Sequence, residues 1–269
     1  MDEINLRMEG AICIGKTKAV FSTWLPGMVE IFNKDDVTAL DGEQKDSFPD
    51  KGKLSNQIAC DIFWLLKCYG MESHFLDRAS GDSFYALECD KIPLEVVVRR
   101  VASGSYIKRN PGVEDGVDFD VPVVELFLKD DSCHDPYIDF HSDKMWYLYD
   151  SKKPIDTDFF GAEIDPYLNR EEVEEVIRQA NNIFIFLEWF WHRRGYKLYN
   201  FKIEFGRVKE GYKKGLIVWS DVLTPDEWIL MKDNVHYDKQ PFRDGAPASV
   251  LKTLYEQVSK ELTEALSKI

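Results

Sequence analysis

The clearest alternation of apolar and polar side chains in this chain lies between residues 199 and 206. Phe201, Ile203 and Phe205 would share one face of a strand, because successive side chains of a strand point to opposite faces. A polar segment with two glycines follows, which is typical of a turn, and residues 216–219 are apolar again. The pattern therefore predicts a β-hairpin with one buried face, and we expect the rest of the chain to be organised around it.

The polar face of this hairpin carries Lys202 and Glu204, and the turn should bring Glu204 roughly opposite Asp221. Two carboxylates and a lysine on one face could hold a magnesium ion and a triphosphate. The same residues could also form a ladder of charges on a solvated surface. The hairpin alone does not separate these two interpretations.

The chain up to residue 91 has the pattern of a small, mostly β lobe with one helix. Ser55 can cap a helix from Asn56 to about Tyr69, and Gly70 would end it. The polar loop that leads to this helix has the composition of a segment that could cover a site. Residues 12–21 could form a hairpin, and apolar runs predict strands at 29–33 and 84–89.

Beyond residue 91 the pattern mixes strands with longer helices. Residues 96–98 form a continuous apolar run, which predicts a central strand. Asn169 can cap a long helix over 170–194, and residues 248–267 predict a final amphipathic helix. Residues 137–166 contain aromatic side chains without a clear period, so we expect an irregular segment there.

Composition narrows the classes of function. The chain has 269 residues and a formal net charge of −14. This charge argues against nucleic acid as a partner, since phosphate backbones are bound by clustered Lys and Arg, but a local pocket can still be basic. We expect neither a signal peptide nor a membrane partner, because no apolar run is long enough to span a bilayer. The five cysteines are odd in number and lack a Cys-x-x-Cys spacing, which indicates reduced thiols in a cytoplasmic protein.

Lys16 and Lys18 follow Gly15 in a stretch that could bind phosphate. The glycine would let a phosphate approach the backbone, and the two lysines would supply counter-charge from one strand face. The glycine spacing is not that of a Walker motif. Two lysines at this spacing are also typical of a solvated strand edge.

A second candidate anion site begins at Arg99 and Arg100 and continues through a small Ser-Gly-Ser turn at 103–105 to Lys108 and Arg109. Backbone N–H groups, the Ser105 hydroxyl and a guanidinium are the donors that a phosphomonoester needs. The same residues could be no more than a charged helix start.

Several stretches, taken together and in order, resemble the SAICAR synthetase family, whose members carry out a ligation in purine biosynthesis. The resemblance runs from about residue 10 to the C-terminal helix, and it is specific because the motifs follow one another in the family's order. The stretches that carry it are residues 14–18, 97–113, 125–131, 134–136, 201–206 and 238–244.

The resemblance implies a two-lobed α+β fold with a kinase- or ATP-grasp-like nucleotide cleft. We expect a small β-rich lobe over 1–91 and a larger α+β lobe over 92–269 that includes the C-terminal helix. It also implies that ATP and Mg²⁺ are used to join the carboxylate of carboxyaminoimidazole ribotide (CAIR) to the amine of L-aspartate. The partners would be these small molecules, and the sequence is compatible with a homo-oligomer.

The resemblance also assigns roles to residues of this chain. Lys16 and Lys18 would hold ATP phosphates, Glu95 would lie at the adenine end, and Lys202 would neutralise charge beside the metal ligands Glu204 and Asp221. Lys202 and Lys18 would be the catalytic cations. The residues expected to contact CAIR or aspartate are Arg99, Ser105, Arg243, Asp41, Lys51, Asn56, Lys129 and Asp135.

Two positions depart from the family pattern. Asn200 stands where the family usually has aspartate, and Ile229 aligns with an arginine that helps to bind the ribotide. Lys232 could substitute for that arginine, although a point charge replaces a planar fork imperfectly. Two alternatives therefore stay open: an ATP-dependent ligase with another carboxylate or amine, or a nucleotide-binding module without catalysis.

Overall fold

The structure is a computed structural model that describes residues 8–39, 42–140, 145–155 and 161–268. It confirms a mixed α and β chain built on two large antiparallel sheets and a separate two-stranded hairpin. None of the helices in these ranges is long and apolar enough to cross a membrane.

The smaller sheet is made from the N-terminal part of the chain. Its strands are β1 (Ala11–Ile14), β2 (Lys18–Ser22), β3 (Met28–Asn33), β6 (Phe75–Arg78) and β7 (Ser83–Leu87). They pair in the order β1-β2-β3-β7-β6. A separate hairpin, β4 (Asp36–Ala39) and β5 (Gln44–Ser47), leads into helix α1 (Lys51–Cys68). The hairpin expected over 12–21 is found as β1 and β2, and the expected strands are found as β3 and β7. β6 was not predicted, and the polar loop before α1 contains a hairpin.

The larger sheet contains nine strands. They are β8 (Cys89–Val101), β9 (Asp118–Leu128), β10 (Tyr137–Asp139), β11 (Trp146–Tyr149), β12 (Ala162–Ile164), β13 (Lys197–Val208), β14 (Ile217–Trp219), β15 (Trp228–Lys232) and β16 (Val235–His236). Their order is β12-β11-β10-β9-β8-β13-β15-β16, and β14 pairs with β13. The prediction of an irregular segment over 137–166 was wrong for residues 137–139, 146–149 and 162–164, because β10, β11 and β12 extend this sheet at one edge.

The helices α2 (Ser105–Arg109), α3 (Arg170–His192), α4 (Gln240–Arg243) and α5 (Ser249–Leu266) complete the fold. The predicted cap of α3 is confirmed as a capping box, in which the Asn169 side chain accepts from Glu172 N and the Glu172 carboxylate accepts from Asn169 N. α3 packs on β8, β13 and β14, whereas α5 packs on α1. The C-terminal helix, expected in the larger lobe, thus contacts the helix of the smaller one.

Alternation along β13 decides which side of the large sheet is buried. Phe201, Ile203 and Phe205 are almost fully buried, and Phe201 packs on Phe184 of α3. The intervening Lys202 and Glu204 therefore lie on the opposite face, away from α3. The predicted strand and its apolar face are confirmed, and the polar face is free to form a site.

Helix α1 begins at Lys51, so the prediction that Ser55 caps it at Asn56 was wrong. Ser55 is buried within the helix. The start is stabilised from outside the helix, because the Asp35 carboxylate accepts a hydrogen bond from Gly52 N at 2.8 Å. A distant residue thus does the work that a local cap residue usually does.

We propose a lobe boundary near residue 91. The small sheet ends at Leu87, and the central strand of the large sheet begins at Cys89. The apolar cores of the two parts are contiguous, since Phe63 of α1 packs against Trp219 of β14 at a ring distance of 4.4 Å.

Candidate active site

The polar face of β8 and β13 gathers acidic side chains that need cations. The strand register places Glu95 directly opposite Glu204, and both residues are buried. Like charges in this position repel unless positive groups lie between them. Lys129 Nζ lies 2.5 Å from Glu204 Oε1 and 3.1 Å from Glu95 Oε1, and Lys202 Nζ lies 2.6 Å from Glu95 Oε1.

These contacts fix the charges of the cluster. Burial alone would raise the pKa of Glu95, but Lys202 and Lys129 outweigh it and hold that pKa below its usual value. Burial alone would lower the pKa of Lys129, whereas Glu204 and Glu95 raise it well above the usual value. Both groups are therefore charged at neutral pH, as an electrostatic site requires.

A second charged pair joins the two sheets. Lys18 Nζ of β2 lies 2.6 Å from Asp221 Oδ1, just after β14. Burial opposes the charge of Lys18, but Asp221, Glu227 and Glu204 together raise its pKa. Burial would likewise raise the pKa of Asp221, yet Lys18 and Lys91 hold it well below the usual value. Lys18 therefore lies in the electrostatic field of three carboxylates, those of Asp221, Glu227 and Glu204.

The hairpin register differs by one residue from the prediction. Phe205 pairs with Trp219, and Ser220 N donates to Glu204 O at 3.0 Å, so Glu204 lies opposite Ser220 and not Asp221. Asp221 and Glu204 are still near each other, because one lysine contacts both places. Lys91 Nζ lies 3.5 Å from Glu204 Oε2 and 2.6 Å from the carbonyl oxygen of Ser220, the residue before Asp221. The exact register depends on a turn whose glycines at 211 and 215 both have positive φ.

A third charged cluster surrounds Asp226. Of its residues, the sequence predicted only Lys51 as part of the site. Lys51 Nζ lies 2.7 Å from Asp226 Oδ2, and the Tyr255 hydroxyl donates to Asp226 Oδ1 at 2.7 Å. Lys239 Nζ is 3.7 Å from the same carboxylate. Burial would raise the pKa of Asp226, but Lys51 and Lys239 hold it well below its usual value. The available signal was the position of Asp226 in the turn after Asp221, next to the expected metal ligands.

Two charged groups close to Asp226, Glu227 and Lys239, have pKa values shifted in opposite directions. Burial is the main cause that raises the pKa of Glu227, with Asp226 and Asp221 adding to it against Lys18. Burial also lowers the pKa of Lys239, in spite of the nearby Asp226. Perturbed carboxyl and amino groups that lie together in this way are typical of functional sites.

At the other end of the polar face, Arg99 and Asn200 meet the turn that precedes α2. Arg99 Nη1 donates to Ser103 O at 3.2 Å, and Asn200 Nδ2 donates to Ser103 Oγ at 3.4 Å. Gly104 adopts φ 60° and ψ −125°, a conformation that only glycine adopts readily. Ser105 is the first residue of α2. The structure therefore places Arg99 beside the turn that precedes Ser105.

Two other predicted substrate residues have hydrogen bonds to the backbone of nearby loops. The Asn56 carboxamide is fully buried and donates to the carbonyls of Ser80, Gly81 and Ser83, which indicates support of that loop. The Asp135 carboxylate accepts from Asp130 N at 2.9 Å. Asp41 lies outside the described residues.

Lys16 lies near the β4–β5 hairpin, and Arg243 lies in α4. Lys16 lines a depression of about 560 Å³ together with Lys34 and Lys45, between β1 and the β4–β5 hairpin. Arg243 ends α4, where its Nη1 donates to Gln240 Oε1 at 3.3 Å. The β5 strand reaches this helix, because Gln44 Nε2 donates to Phe242 O at 2.7 Å.

Lys232 does not take the place of the family arginine at Ile229. Ile229 pairs with Asn200 across β15 and β13, whereas Lys232 lies at the far end of β15. Its Nζ donates to Arg194 O at 3.1 Å and lies over the Tyr196 ring. The substitution considered from the sequence was therefore wrong in position.

The donor set fits a magnesium ion that is shared with phosphate groups. Within the described ranges, no three His, Cys, Asp or Glu side chains form a group that could hold a metal by themselves. Glu204 and Asp221 supply two carboxylates, and Mg²⁺ commonly takes one or two carboxylates together with substrate phosphates.

The comparisons with known proteins agree over almost the whole chain. The SAICAR synthetase family model matches residues 11–262. The phosphoribosylaminoimidazole-succinocarboxamide synthase of Clostridium acetobutylicum is 36% identical over 85% of this chain and 88% of that protein. The crystal structure of the synthase from Ehrlichia chaffeensis is 25% identical with a TM-score of 0.79, and the match covers 94% of this chain and 98% of that one.

A further solved structure, a SAICAR synthetase in complex with ADP, is 29% identical with a TM-score of 0.77 and covers 94% of this chain and 97% of that one. Sequence and fold thus agree with the order of motifs and with the architecture of the two sheets. The chain belongs to the SAICAR synthetase family.

Proposed function

We propose that this protein is an ATP-dependent ligase that joins the carboxylate of CAIR to the amine of L-aspartate, giving SAICAR, ADP and phosphate in purine biosynthesis. The observation that carries the proposal is the cluster of Lys18, Lys129 and Lys202 around Glu95, Glu204 and Asp221. Family membership and a relative that binds ADP support the same reaction.

The reaction brings negatively charged groups together, and the lysines of this cluster supply positive charge to offset their repulsion. A CAIR carboxylate oxygen attacks the γ-phosphorus of ATP, the bond to the bridging oxygen breaks, and ADP leaves. The aspartate amine, in its neutral form, then attacks the acyl phosphate carbon, phosphate leaves, and the nitrogen loses one proton to solvent to give the amide. Fixed positive groups lower the repulsion in the first step without having to reorganise.

The proposed roles follow from position. Lys18 and Lys202 contact the transferring phosphates, Lys16 binds ATP from the glycine turn, and Glu95 fixes Lys202 on the nucleotide side. Glu204 and Asp221 would hold Mg²⁺, which would supply positive charge against the phosphate groups when bound. The side chains proposed to line the acid and amine pockets are Arg99, Ser105, Arg243, Lys51, Lys129 and Asp135.

We further propose that the acid substrate is a phosphomonoester. Arg99, Ser105 and the Gly104 turn offer a guanidinium, a hydroxyl and backbone N–H groups at one place. The cytoplasm is the proposed location, since all five cysteines are free thiols. A homo-oligomer is compatible with this arrangement.

The test is release of ADP with CAIR and L-aspartate, each omitted in turn. Release that needs both substrates supports the proposal. If CAIR is inert while another carboxylate stimulates turnover, the protein is a ligase with a different acid substrate. Tight binding of ATP without release of ADP under any of these conditions would mean that catalysis has been lost.

The Glu204→Gln variant tests the metal assignment. Loss of one proposed metal ligand should weaken Mg²⁺ binding and therefore the stabilisation of negative charge in the transition state. We expect kcat to fall by at least about a hundredfold. The matched control is Glu88→Gln, which removes an acid from the surface pair with Lys209 and should leave turnover unchanged. A near-normal rate for Glu204→Gln, with the fold intact by circular dichroism, would refute the assignment.

A further inference from the structure

A buried carboxylate lies between two arginines beside the Ser103–Ser105 turn. Glu125 Oε2 accepts from Arg99 Nε at 2.7 Å, and Glu125 Oε1 accepts from Arg109 Nη2. All three side chains are at most 5% exposed. A carboxylate that is buried to this extent is retained when its partners are charged and well placed.

Arg109 is too deeply buried to be the direct anion ligand that its position in the sequence suggested. Its guanidinium packs against the rings of Phe127 and Tyr137, at 4.9 and 5.2 Å from their centroids. Its Nη1 donates to Ser151 O at 2.8 Å. Arg109 is also the last residue of α2, so these contacts fix the C-terminal end of the helix that begins at Ser105.

Arg99 is held on the other side of Glu125. Its Nε and Nη1 donate to Glu125 and to Ser103 O, and Tyr106 packs on the guanidinium at 5.3 Å. Among the described residues its Nη2 donates no hydrogen bond, although the residue as a whole is only 4% exposed. An arginine that is fixed at two nitrogens and unpaired at the third is oriented to receive an anion.

The net charge of Arg99, Arg109 and Glu125 also favours the binding of an anion. Two guanidiniums and one carboxylate leave a formal charge of +1 in a buried place next to the turn. An uncompensated buried charge is costly, and an incoming dianion would lower that cost. Glu125 itself cannot be a ligand for the anion, since both of its oxygens are occupied and its charge would repel a phosphate.

We propose that Glu125 is a positioning residue, which orients Arg99 directly and anchors the Ser103–Ser105 turn through Arg109 for binding of a phosphomonoester. This inference rests on the proposed function, which places the ribotide phosphate at that turn. It adds two residues, Glu125 and Arg109, that act on the substrate through others.

The test is the Glu125→Gln variant, which keeps the shape of the side chain and removes its charge. Loss of a charge-assisted contact commonly changes affinity about ten- to a hundredfold, so the KM for CAIR should rise by at least about tenfold. The KM values for ATP and L-aspartate should stay within about twofold, because the lysine and acid clusters are elsewhere on the sheet. Equal changes in all three KM values would indicate a purely structural role and overturn the proposal.

Glu188→Gln is the matched control. Glu188 of α3 forms a two-bond pair with Arg100, the neighbour of Arg99 on β8, but on the opposite face of the sheet. This variant should lower the melting temperature without changing the KM for CAIR. If it raises that KM as much as Glu125→Gln does, general weakening of β8 explains both results and the proposal fails.

A second measurement separates this proposal from the proposed function. Inorganic phosphate should raise the melting temperature of the wild-type chain and have a clearly smaller effect on Glu125→Gln. If the wild-type chain turns over no CAIR but this difference is found, the ligase proposal fails and the positioning role stands. If Glu125→Gln does not fold, Arg109→Lys gives the same readouts, and an unchanged response to phosphate in that variant overturns the proposal.

Discussion

His236 forms a hydrogen-bonded pair whose strength depends on pH. Its Nδ1 lies 2.9 Å from Asp238 Oδ2, and the buried Asp238 carboxylate also accepts from Leu230 N and Gln240 N. The hydrogen bond to Asp238 raises the pKa of His236 above its usual value. A raised folded-state pKa means that the pair stabilises the fold fully below the unfolded pKa of about 6.5 and loses this effect as the pH rises through the folded pKa.

We therefore expect His236→Gln to lower the free energy of unfolding by less than about 1 kcal/mol near pH 5.5, since the ring is partly exposed and solvent screens the pair. Near pH 8.5 the variant and the wild-type chain should differ much less. Urea unfolding at the two pH values measures this difference. An equal loss at both would show that the charge of His236 does not contribute.

The residues of the site could be predicted in part because strand alternation is local. Lys202 and Glu204 follow from the period of β13, whichever strand pairs with it. The contact between Lys51 and Asp226 could not be predicted in this way, because it joins residues 175 positions apart. Arg109 shows the same limit, since its sequence neighbours favour an exposed anion ligand while the fold buries it against Glu125.

At the scale of elements, Gly52 controls how closely α1 approaches β3. A Cβ atom at Gly52 would lie 2.3 Å from Asn33 O, which is backbone and cannot turn aside. We expect Gly52→Ala to destabilise the fold by about 1–3 kcal/mol, the usual cost of overpacking. The control is Gly81→Ala, whose Cβ would lie no closer than 3.9 Å to the Lys53 side chain.

Urea unfolding of both variants, with the slope of the transition fitted in each, gives the comparison. Equal effects of the two substitutions would show that the approach of α1 to β3 is not constrained.

The sequence predicted the start of α1 too late in the chain, because the group that stabilises this start is not a local cap. The sequence favours a local cap at Ser55, whereas the fold supplies Asp35 from the loop after β3.

Short strands were the elements that the sequence could not predict. β10, β11 and β12 have three or four residues each, which is too few to show a period. Their pairing partners are what define them, since β10 lies on β9 and each later strand lies on the one before it. Long elements such as α3 and β13 carry enough periodic positions to be predicted from the sequence alone.

At the scale of the whole molecule, charged pairs connect the N-terminal segments to the large sheet and its loops. Lys18 reaches Asp221, and Lys51 reaches Asp226. Hydrogen bonds from Gln44 to Phe242 O and from Ala248 N to Asp46 add further links between the β4–β5 hairpin and the C-terminal region. The charged side chains of the candidate site therefore lie where the two parts of the chain meet, and their ion pairs connect these parts.

The Lys51–Asp226 pair tests how strongly this connection stabilises the molecule. Both side chains are nearly inaccessible to solvent, so removing one partner leaves a buried charge. Lys51→Met should cost about 3–5 kcal/mol, and the double variant Lys51→Met with Asp226→Asn should be more stable than the sum of the single effects predicts. The pKa of Asp226 is held low, so the contribution of the pair is present above the unfolded pKa of about 3.9 and is lost as the pH falls through the folded pKa.

Urea unfolding of the wild-type chain, both single variants and the double variant at pH 7 completes the cycle. A coupling energy of about 1–3 kcal/mol would show that the pair stabilises the contact between the small sheet and the large one. Strictly additive single effects would mean that each side chain acts through separate neighbours, Tyr255 and Lys239 in the case of Asp226. The packing of Phe63 of α1 on Trp219 of β14 would then be a link between the two parts that does not depend on charge.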